Sequence, residues 1–98
     1  MDAVHKYIQA KQTFIVEFYA DWCGPCKVYG PALKKFCSEK GIPLVQLNGD
    51  AVSPNSELAK FMTTIKLAAY PTTLIYKNGT GPVMIVGADL NKVKGVFS

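Results

Sequence analysis

The run TFIVEFYA at residues 13–20 constrains the fold most strongly, because both of its alternating faces are apolar apart from Glu17. A strand with two apolar faces is stable only in a sheet that is covered on both sides, and helices provide that cover in α/β proteins. The chain has 98 residues, which is enough for one domain and too few for two separate cores. The sequence therefore predicts a single α/β domain over residues 1–98.

The other apolar patterns predict the remaining elements of this domain. Residues at helical spacing predict helices over 3–11 and 23–40, a third that opens at Ser53-Pro54, and a short last one capped by Asp89. Apolar runs predict further strands at residues 42–48, 72–77 and 82–87, and NGTG at residues 78–81 is typical of a tight hairpin. This order predicts a mixed four-stranded sheet with a terminal hairpin and with helices on both faces.

The charged residues argue against nucleic-acid partners. All eleven basic residues are lysine, they are scattered along the chain, and the net charge is +4. Recognition of phosphates and bases relies on the planar guanidinium of arginine, so neither DNA nor RNA is expected to bind. No apolar stretch approaches the roughly 20 residues that span a bilayer, and the N-terminus lacks the apolar region of a secretion signal. We therefore expect a cytoplasmic protein with no membrane partner.

The segment DWCGPCKVYGP at residues 21–31 contains two cysteines at the junction of the first strand and the second helix. The N–H groups and the dipole at the start of a helix favour an anion, so the Cys23 thiol is expected to ionise readily. Lys27 adds to this effect and Asp21 opposes it. Cys26 lies within the first helical turn, from which its sulfur can reach Cys23. Since the thiolate is the nucleophile in disulfide exchange, the pair predicts a thiol–disulfide exchange site.

Three other uses of this cysteine pair fit the sequence less well. A zinc site needs two more ligands, but Cys37 lies ~16 Å further along the same helix and only His5 remains, so no metal is expected. Covalent haem attachment requires histidine after the second cysteine, where the chain has Lys27. A structural disulfide stays open as an alternative, although so short a loop constrains the unfolded chain little. Cys37 itself lies on the apolar stripe of the helix and is expected to be buried and unreactive.

Five motifs in this order resemble the thioredoxin family. They are WCGPC at residues 22–26, the following Lys27 and Pro31, YPT at residues 70–72, KNG at residues 77–79 and VGA at residues 86–88. The resemblance implies a thioredoxin-like fold with four strands, because the family's first strand is missing from this chain. It also implies an open sheet edge at residues 42–48 and a longer connection than usual between Asn48 and Pro71.

The resemblance further implies a protein disulfide reductase with a role for each residue of the site. Cys23 is the expected nucleophile, Cys26 is the resolving cysteine that pairs with it in a redox-active disulfide, and Pro71 is a cis-proline. Glu17 matches the family's buried acid and is the expected proton acceptor, and the lysine often found near that acid on the next strand appears here as Gln46. The alternative is a structural or partly exposed glutamate paired with a lysine. The residues expected to bind substrate are Trp22, Gly24, Pro25, Tyr70, Pro71, Gly87 and Ala88.

The same resemblance implies that no cofactor is bound and that electrons come from NADPH through a flavin-dependent thioredoxin reductase. Disulfide-containing proteins and that reductase are the expected partners of a monomer. The Gly-Pro dipeptide between the cysteines, where protein disulfide isomerase domains have Gly-His, favours a reductant. EFYA and YPT nevertheless resemble those isomerase domains, so an oxidase, an isomerase or an electron relay for exported proteins is one alternative. A binding subunit of thioredoxin fold with incidental redox activity is another.

Overall fold

A computed structural model describes all 98 residues and contains a mixed four-stranded sheet with four helices. The elements in chain order are α1 (Asp2–Gln9), β1 (Phe14–Tyr19), α2 (Gly24–Lys40), β2 (Leu44–Asn48), a 3₁₀ turn (Gly49–Ala51), α3 (Glu57–Thr64), β3 (Thr72–Lys77), β4 (Thr80–Val86) and α4 (Leu90–Val96). The strand order is β2-β1-β3-β4. β1 runs parallel to β2 and antiparallel to β3, and β3 runs antiparallel to β4. The predicted sheet and fold class are confirmed.

Helices cover both faces of the two central strands, as the apolar pattern of β1 required. Five of the six β1 residues are buried, Tyr19 being the exception. On one face, Phe14 and Phe18 pack with Leu74 against α1 and α3. On the other face, Ile15 and Ile75 pack against α2 and α4. The two cores hold β1 rigidly, and the loop that leaves its carboxyl end is therefore fixed in space.

The third helix begins later than the sequence predicts. Asn55 has a φ of 62°, in the left-handed region that a helix cannot pass through. Ser56 caps the helix instead, and its hydroxyl accepts a hydrogen bond from the Ala59 N–H at 3.1 Å. The prediction that this helix opens at Ser53-Pro54 is therefore wrong, because the left-handed Asn55 interrupts the chain and the Ser56 cap, three residues after Ser53, starts the helix instead.

The two edge strands of the sheet differ in how readily their outer backbone groups could pair with another strand. β4 contains Pro82, which has no N–H to offer, and its pairing with β3 is irregular between Ile75 and Lys77. Both features discourage pairing with another strand. β2 reads LVQLN, without proline or charge, and lies at the opposite edge as predicted. Its outer backbone groups have no strand beside them.

Candidate active site

The two cysteines occupy the point where β1 ends and α2 begins. The chain turns tightly after β1, and the Cys23 N–H donates to the Ala20 carbonyl at 3.1 Å. Cys23 is the N-cap of α2, and its sulfur accepts a hydrogen bond from the Cys26 N–H at 3.2 Å. The two sulfurs form a disulfide, with the Cα atoms 5.3 Å apart. Only 4% of Cys23 and 6% of Cys26 are exposed, so the approach to the sulfurs is narrow.

The start of α2 favours negative charge on Cys23. Gly24 and Pro25 are the first two helical residues, and the missing N–H of Pro25 removes no helical bond there. No acidic residue lies in this first turn, whereas Lys27 does. The Asp21 carboxylate accepts a hydrogen bond from the Asn48 side-chain N–H at 3.1 Å. The helix terminus and its N–H groups therefore favour negative charge on the sulfur, as Lys27 does, while the Asp21 carboxylate opposes it.

A cis peptide bond joins Tyr70 to Pro71 beside the disulfide. Tyr70 packs against the cluster that contains Cys23, and its ring meets Trp22 edge-on with centroids 5.7 Å apart. The Pro71 carbonyl accepts a hydrogen bond from the Gly87 N–H at 2.8 Å, which ties the end of β4 to the cis bond. Burial and the nearby Asp50 carboxylate raise the pKa of Tyr70, so its hydroxyl stays protonated at neutral pH.

Apolar residues remain exposed around this cis bond. Trp22 is 67% exposed and Val86, one residue before Gly87, is 56% exposed. Ala88 follows directly after Gly87, and Gly24 with Pro25 lies on the exposed start of α2. An exposed tryptophan and an exposed valine near a disulfide form a surface that can bind an apolar chain segment.

Glu17 is buried beneath the site without a charged partner. Its side chain is 0% exposed, and one carboxylate oxygen accepts a hydrogen bond from the Gln46 side-chain N–H at 2.9 Å. The other oxygen has no partner. Burial raises the pKa of Glu17 above its usual value of 4.5, and the bond from Gln46 offsets this only in part. The alternative of a glutamate paired with lysine is wrong, because the partner is a neutral amide.

An open groove of about 700 Å³ runs between the cysteines and this acid, with walls from β1, β2 and α2. Glu17 and Cys26 both border it, together with Lys27, Lys34 and Gln46. Gly30 also borders the groove, and the Glu17 carboxylate packs beside it: a Cβ atom added to Gly30 would lie 3.7 Å from the nearer carboxylate oxygen, an ordinary contact. Glu17 and Cys26 therefore share one groove, which Asp21 also borders.

The third cysteine is separate from this chemistry. Cys37 is buried in the core between α2 and the sheet, and burial raises the pKa of its thiol to about 11. His5 pairs instead with Glu57 at 3.1 Å, which joins α1 to α3. No three side chains among histidine, cysteine, aspartate and glutamate are grouped to hold a metal ion. No helix has both the length and the apolar character needed to cross a membrane.

Two residues near the site were not singled out as functional from the sequence. Asn48 donates to Asp21, and its side-chain oxygen accepts from the Asp50 N–H at 3.0 Å. Gly49 lies against the hydroxyl end of the Tyr70 ring. The available signal was the Asn-Gly pair after β2, since parallel strands end on the same side of a sheet. Residues that follow β2 are thus brought next to those that follow β1.

The motifs and the fold are those of a known family. The family model described as thioredoxin matches residues 2–95. The chain belongs to the thioredoxin family. A thioredoxin of Neurospora crassa is 34% identical over 96 residues, which covers 89% of this chain and 71% of that one. Thioredoxin-1 of Saccharomyces cerevisiae is 35% identical over 81 residues, covering 82% and 73% of the two chains.

Solved structures agree with this assignment. The crystal structure of thioredoxin f2 from Chlamydomonas reinhardtii superposes with a TM-score of 0.76 at 28% identity, covering 98% of this chain and 87% of that one. Thioredoxins are thiol–disulfide oxidoreductases that act on disulfide substrates, and this member has the WCGPC motif with a disulfide across it. The protein is therefore a thiol–disulfide oxidoreductase whose redox group is its own cysteine pair.

Proposed function

We propose that this oxidoreductase works as a protein disulfide reductase, with Cys23 as the nucleophile. The observation that carries the proposal is the position of Cys23 as N-cap of α2, where its sulfur already accepts a backbone N–H at 3.2 Å. Once the disulfide is reduced, the same N–H groups stabilise the Cys23 thiolate. A thiolate that is ionised at neutral pH attacks a substrate disulfide without a separate base.

The reaction has two exchange steps. The Cys23 thiolate attacks one sulfur of the substrate disulfide, and the other substrate sulfur leaves as a thiolate that takes up a proton. Cys26 then loses its proton and attacks Cys23, which releases the second substrate thiol and forms the 23–26 disulfide. Two electrons pass from the protein to the substrate, and the second step is fast because both cysteines share one helical turn.

Glu17 is the proton acceptor for the second step in this proposal. Burial raises its pKa, which makes its carboxylate a stronger base than that of an exposed glutamate, and it borders the same groove as Cys26. The proton passes either directly or through one water molecule. The substrate chain lies in extended form against cis-Pro71, on the surface formed by Trp22, Gly24, Pro25, Tyr70, Gly87 and Ala88.

The remaining parts of the proposal concern the oligomeric state, the cellular location and the redox partners of the protein. Residues 1–98 act as one domain and as a monomer in the cytoplasm. Electrons come from NADPH through a flavin-dependent thioredoxin reductase, and the substrates are disulfide-containing proteins. The thioredoxin names of the relatives support this assignment, as does the Gly-Pro dipeptide between the cysteines.

Reduction of insulin disulfides tests the proposal, first with dithiothreitol and then with NADPH and a thioredoxin reductase. The wild-type protein is expected to be active in both assays, and a Cys23→Ser variant in neither. Cys26→Ser is expected to accumulate a mixed disulfide with insulin, while the control Cys37→Ala keeps its activity. Inactivity of the wild-type protein in both assays would indicate a binding subunit. A titration against glutathione that left the 23–26 pair mostly reduced at a strongly oxidising poise would indicate an oxidant instead.

A further inference from the structure

The Tyr70 side chain closes one side of the approach to Cys23. It packs against the cluster formed by Ala20, Cys23 and Cys26, and its ring meets Trp22 edge-on. Cys23 is only 4% exposed although it lies at an exposed helix start. The neighbouring tyrosine therefore accounts for part of the cover over the sulfur.

Gly49 lies against the hydroxyl end of the Tyr70 ring. A Cβ atom added to Gly49 would lie 2.7 Å from Cε1 and 2.9 Å from Cζ of that ring, and closer still to its hydroxyl oxygen. Real Cβ atoms do not approach other atoms so closely. Gly49 belongs to the 3₁₀ turn, and its φ is outside the left-handed region, so its backbone conformation is open to any residue. The Tyr70 ring is thus the reason that glycine is needed here.

The position of Gly49 is itself fixed by its neighbours. The Asn48 side chain donates to Asp21 at 3.1 Å on one side and accepts from the Asp50 N–H at 3.0 Å on the other. This side chain joins the segment that leads to the cysteines to the turn that contains Gly49. These two hydrogen bonds therefore fix the position of Gly49 relative to the segment that leads to the cysteines.

We propose that Gly49 is a positioning residue that holds the Tyr70 ring across the approach to Cys23, so that Tyr70 limits which disulfides reach the sulfur. A side chain at position 49 displaces the ring from its present place beside the cysteine cluster and so uncovers the sulfur. The proposal deepens the proposed function, since it takes Cys23 as the reacting sulfur.

The test measures how fast dithiothreitol reduces the oxidised protein. A dithiothreitol thiolate attacks the Cys23 sulfur and Cys26 leaves as a thiolate; the second dithiothreitol thiol then releases Cys23 and forms the cyclic disulfide. Samples are quenched with acid and their free thiols are counted by mass spectrometry. The variants are Gly49→Ala, Tyr70→Val and the double variant, with Gly95→Ala as a control because an added Cβ there contacts nothing.

Gly49→Ala and Tyr70→Val are each expected to react faster than the wild type, and the control is expected to match it. In the Tyr70→Val background, Gly49→Ala is expected to have no further effect. The coupling between the two positions is then about twofold or more, as for residues in direct contact. If glycine at position 49 were needed only for the turn itself, its effect would not depend on the residue at position 70.

Two results would overturn the proposal: no acceleration in Tyr70→Val, or the same effect of Gly49→Ala in both backgrounds. If Gly49→Ala alone does not fold, the double variant is expected to fold, because the clashing ring is gone; a double variant that also fails to fold contradicts the proposal. The assay needs no protein substrate. It therefore separates an error about Tyr70 from a failure of the reductase function, which insulin reduction by the wild-type protein reports.

Discussion

Replacing Glu17 with glutamine is expected to change how stability depends on pH. The Glu17 carboxyl is fully buried, accepts one hydrogen bond from Gln46 and has no cationic partner, so its pKa is raised above 4.5 by burial. For a group whose pKa is higher in the folded state, the stabilising contribution is complete below the unfolded pKa. It is lost as the pH rises through the folded pKa. Glu17→Gln removes this loss, because an amide does not titrate.

The size of the effect follows from the difference between the two pKa values. Each unit of difference corresponds to about 1.4 kcal/mol of unfolding free energy at pH values above both. For a domain of this length, each kcal/mol moves the melting temperature by roughly 4–8 °C. The glutamine also places a buried N–H₂ group at the site, which shifts the free energy equally at every pH. The change of the unfolding free energy with pH is therefore the informative quantity.

Urea unfolding of the oxidised protein between pH 4 and 9 measures that slope. The wild type is expected to lose stability as the pH rises through the folded pKa of Glu17, and Glu17→Gln is expected to lose less. Glu39→Gln, which changes an exposed glutamate on α2, serves as the control and should follow the wild type. Parallel curves for wild type and Glu17→Gln would refute the reasoning, because they would mean that the buried carboxyl does not have a raised pKa.

The same variant also tests the proton transfer. An aromatic disulfide such as 5,5′-dithiobis(2-nitrobenzoate) releases one coloured thiolate when Cys23 attacks and a second when Cys26 resolves the mixed disulfide. Glu17→Gln is expected to leave the first phase nearly unchanged and to slow the second by ~10²-fold, the lower range for a general base. Equal second phases in the two proteins would remove Glu17 from the mechanism.

Three further predictions concern other contacts in the structure. Tyr29→Phe is expected to destabilise the protein by about 1–3 kcal/mol, because it leaves the buried Thr73 hydroxyl without its 2.6 Å hydrogen-bond partner. Adding Thr73→Val to the same chain should restore most of the lost stability, as measured by urea unfolding. Cys37 should resist iodoacetamide at pH 8 in the native protein and react after unfolding, since a thiol pKa of about 11 leaves roughly a thousandth of it ionised; rapid native labelling would contradict its burial. Gly41→Ala should destabilise the protein by about 1 kcal/mol or more, because Gly41 ends α2 with a φ of 67°; an unchanged melting temperature would show that the cap carries no strain.

Much of the fold could be predicted because its elements are strongly patterned along the chain. The two apolar faces of β1 and the hydrophobic stripe of α2 left little choice of structure. The errors lie at boundaries where two local signals compete. Ser53-Pro54 and Ser56-Glu57 are both acceptable helix starts, and only the left-handed conformation of Asn55 selects the second. Asn78 and Gly79 form the whole hairpin turn with positive φ at both residues, so β4 starts at Thr80, earlier than predicted.

The site was predictable where its parts are adjacent in sequence and unpredictable where they meet across the fold. Cys23 and Cys26 are separated by one helical turn, so their spacing in the sequence is enough to predict that their sulfurs meet. The contact between Gly49 and Tyr70 joins residues far apart in the chain. Whether a side chain fits at position 49 depends on only a few tenths of an ångström in the distance to the ring. The neutral partner of Glu17 lies between these cases: the family resemblance and the parallel register both place Gln46 beside it, but the direction of the amide follows from packing against α2.

The unequal edges of the sheet have a consequence for how the protein behaves when it is concentrated or heated. β4 is interrupted by proline, whereas β2 offers five consecutive uncharged residues. Aggregation that starts from partly opened molecules therefore begins at residues 44–48, where strands from different chains can stack. The most useful place for a solubilising charge is on this strand, away from the catalytic sulfurs and from the Gln46 side chain that faces Glu17.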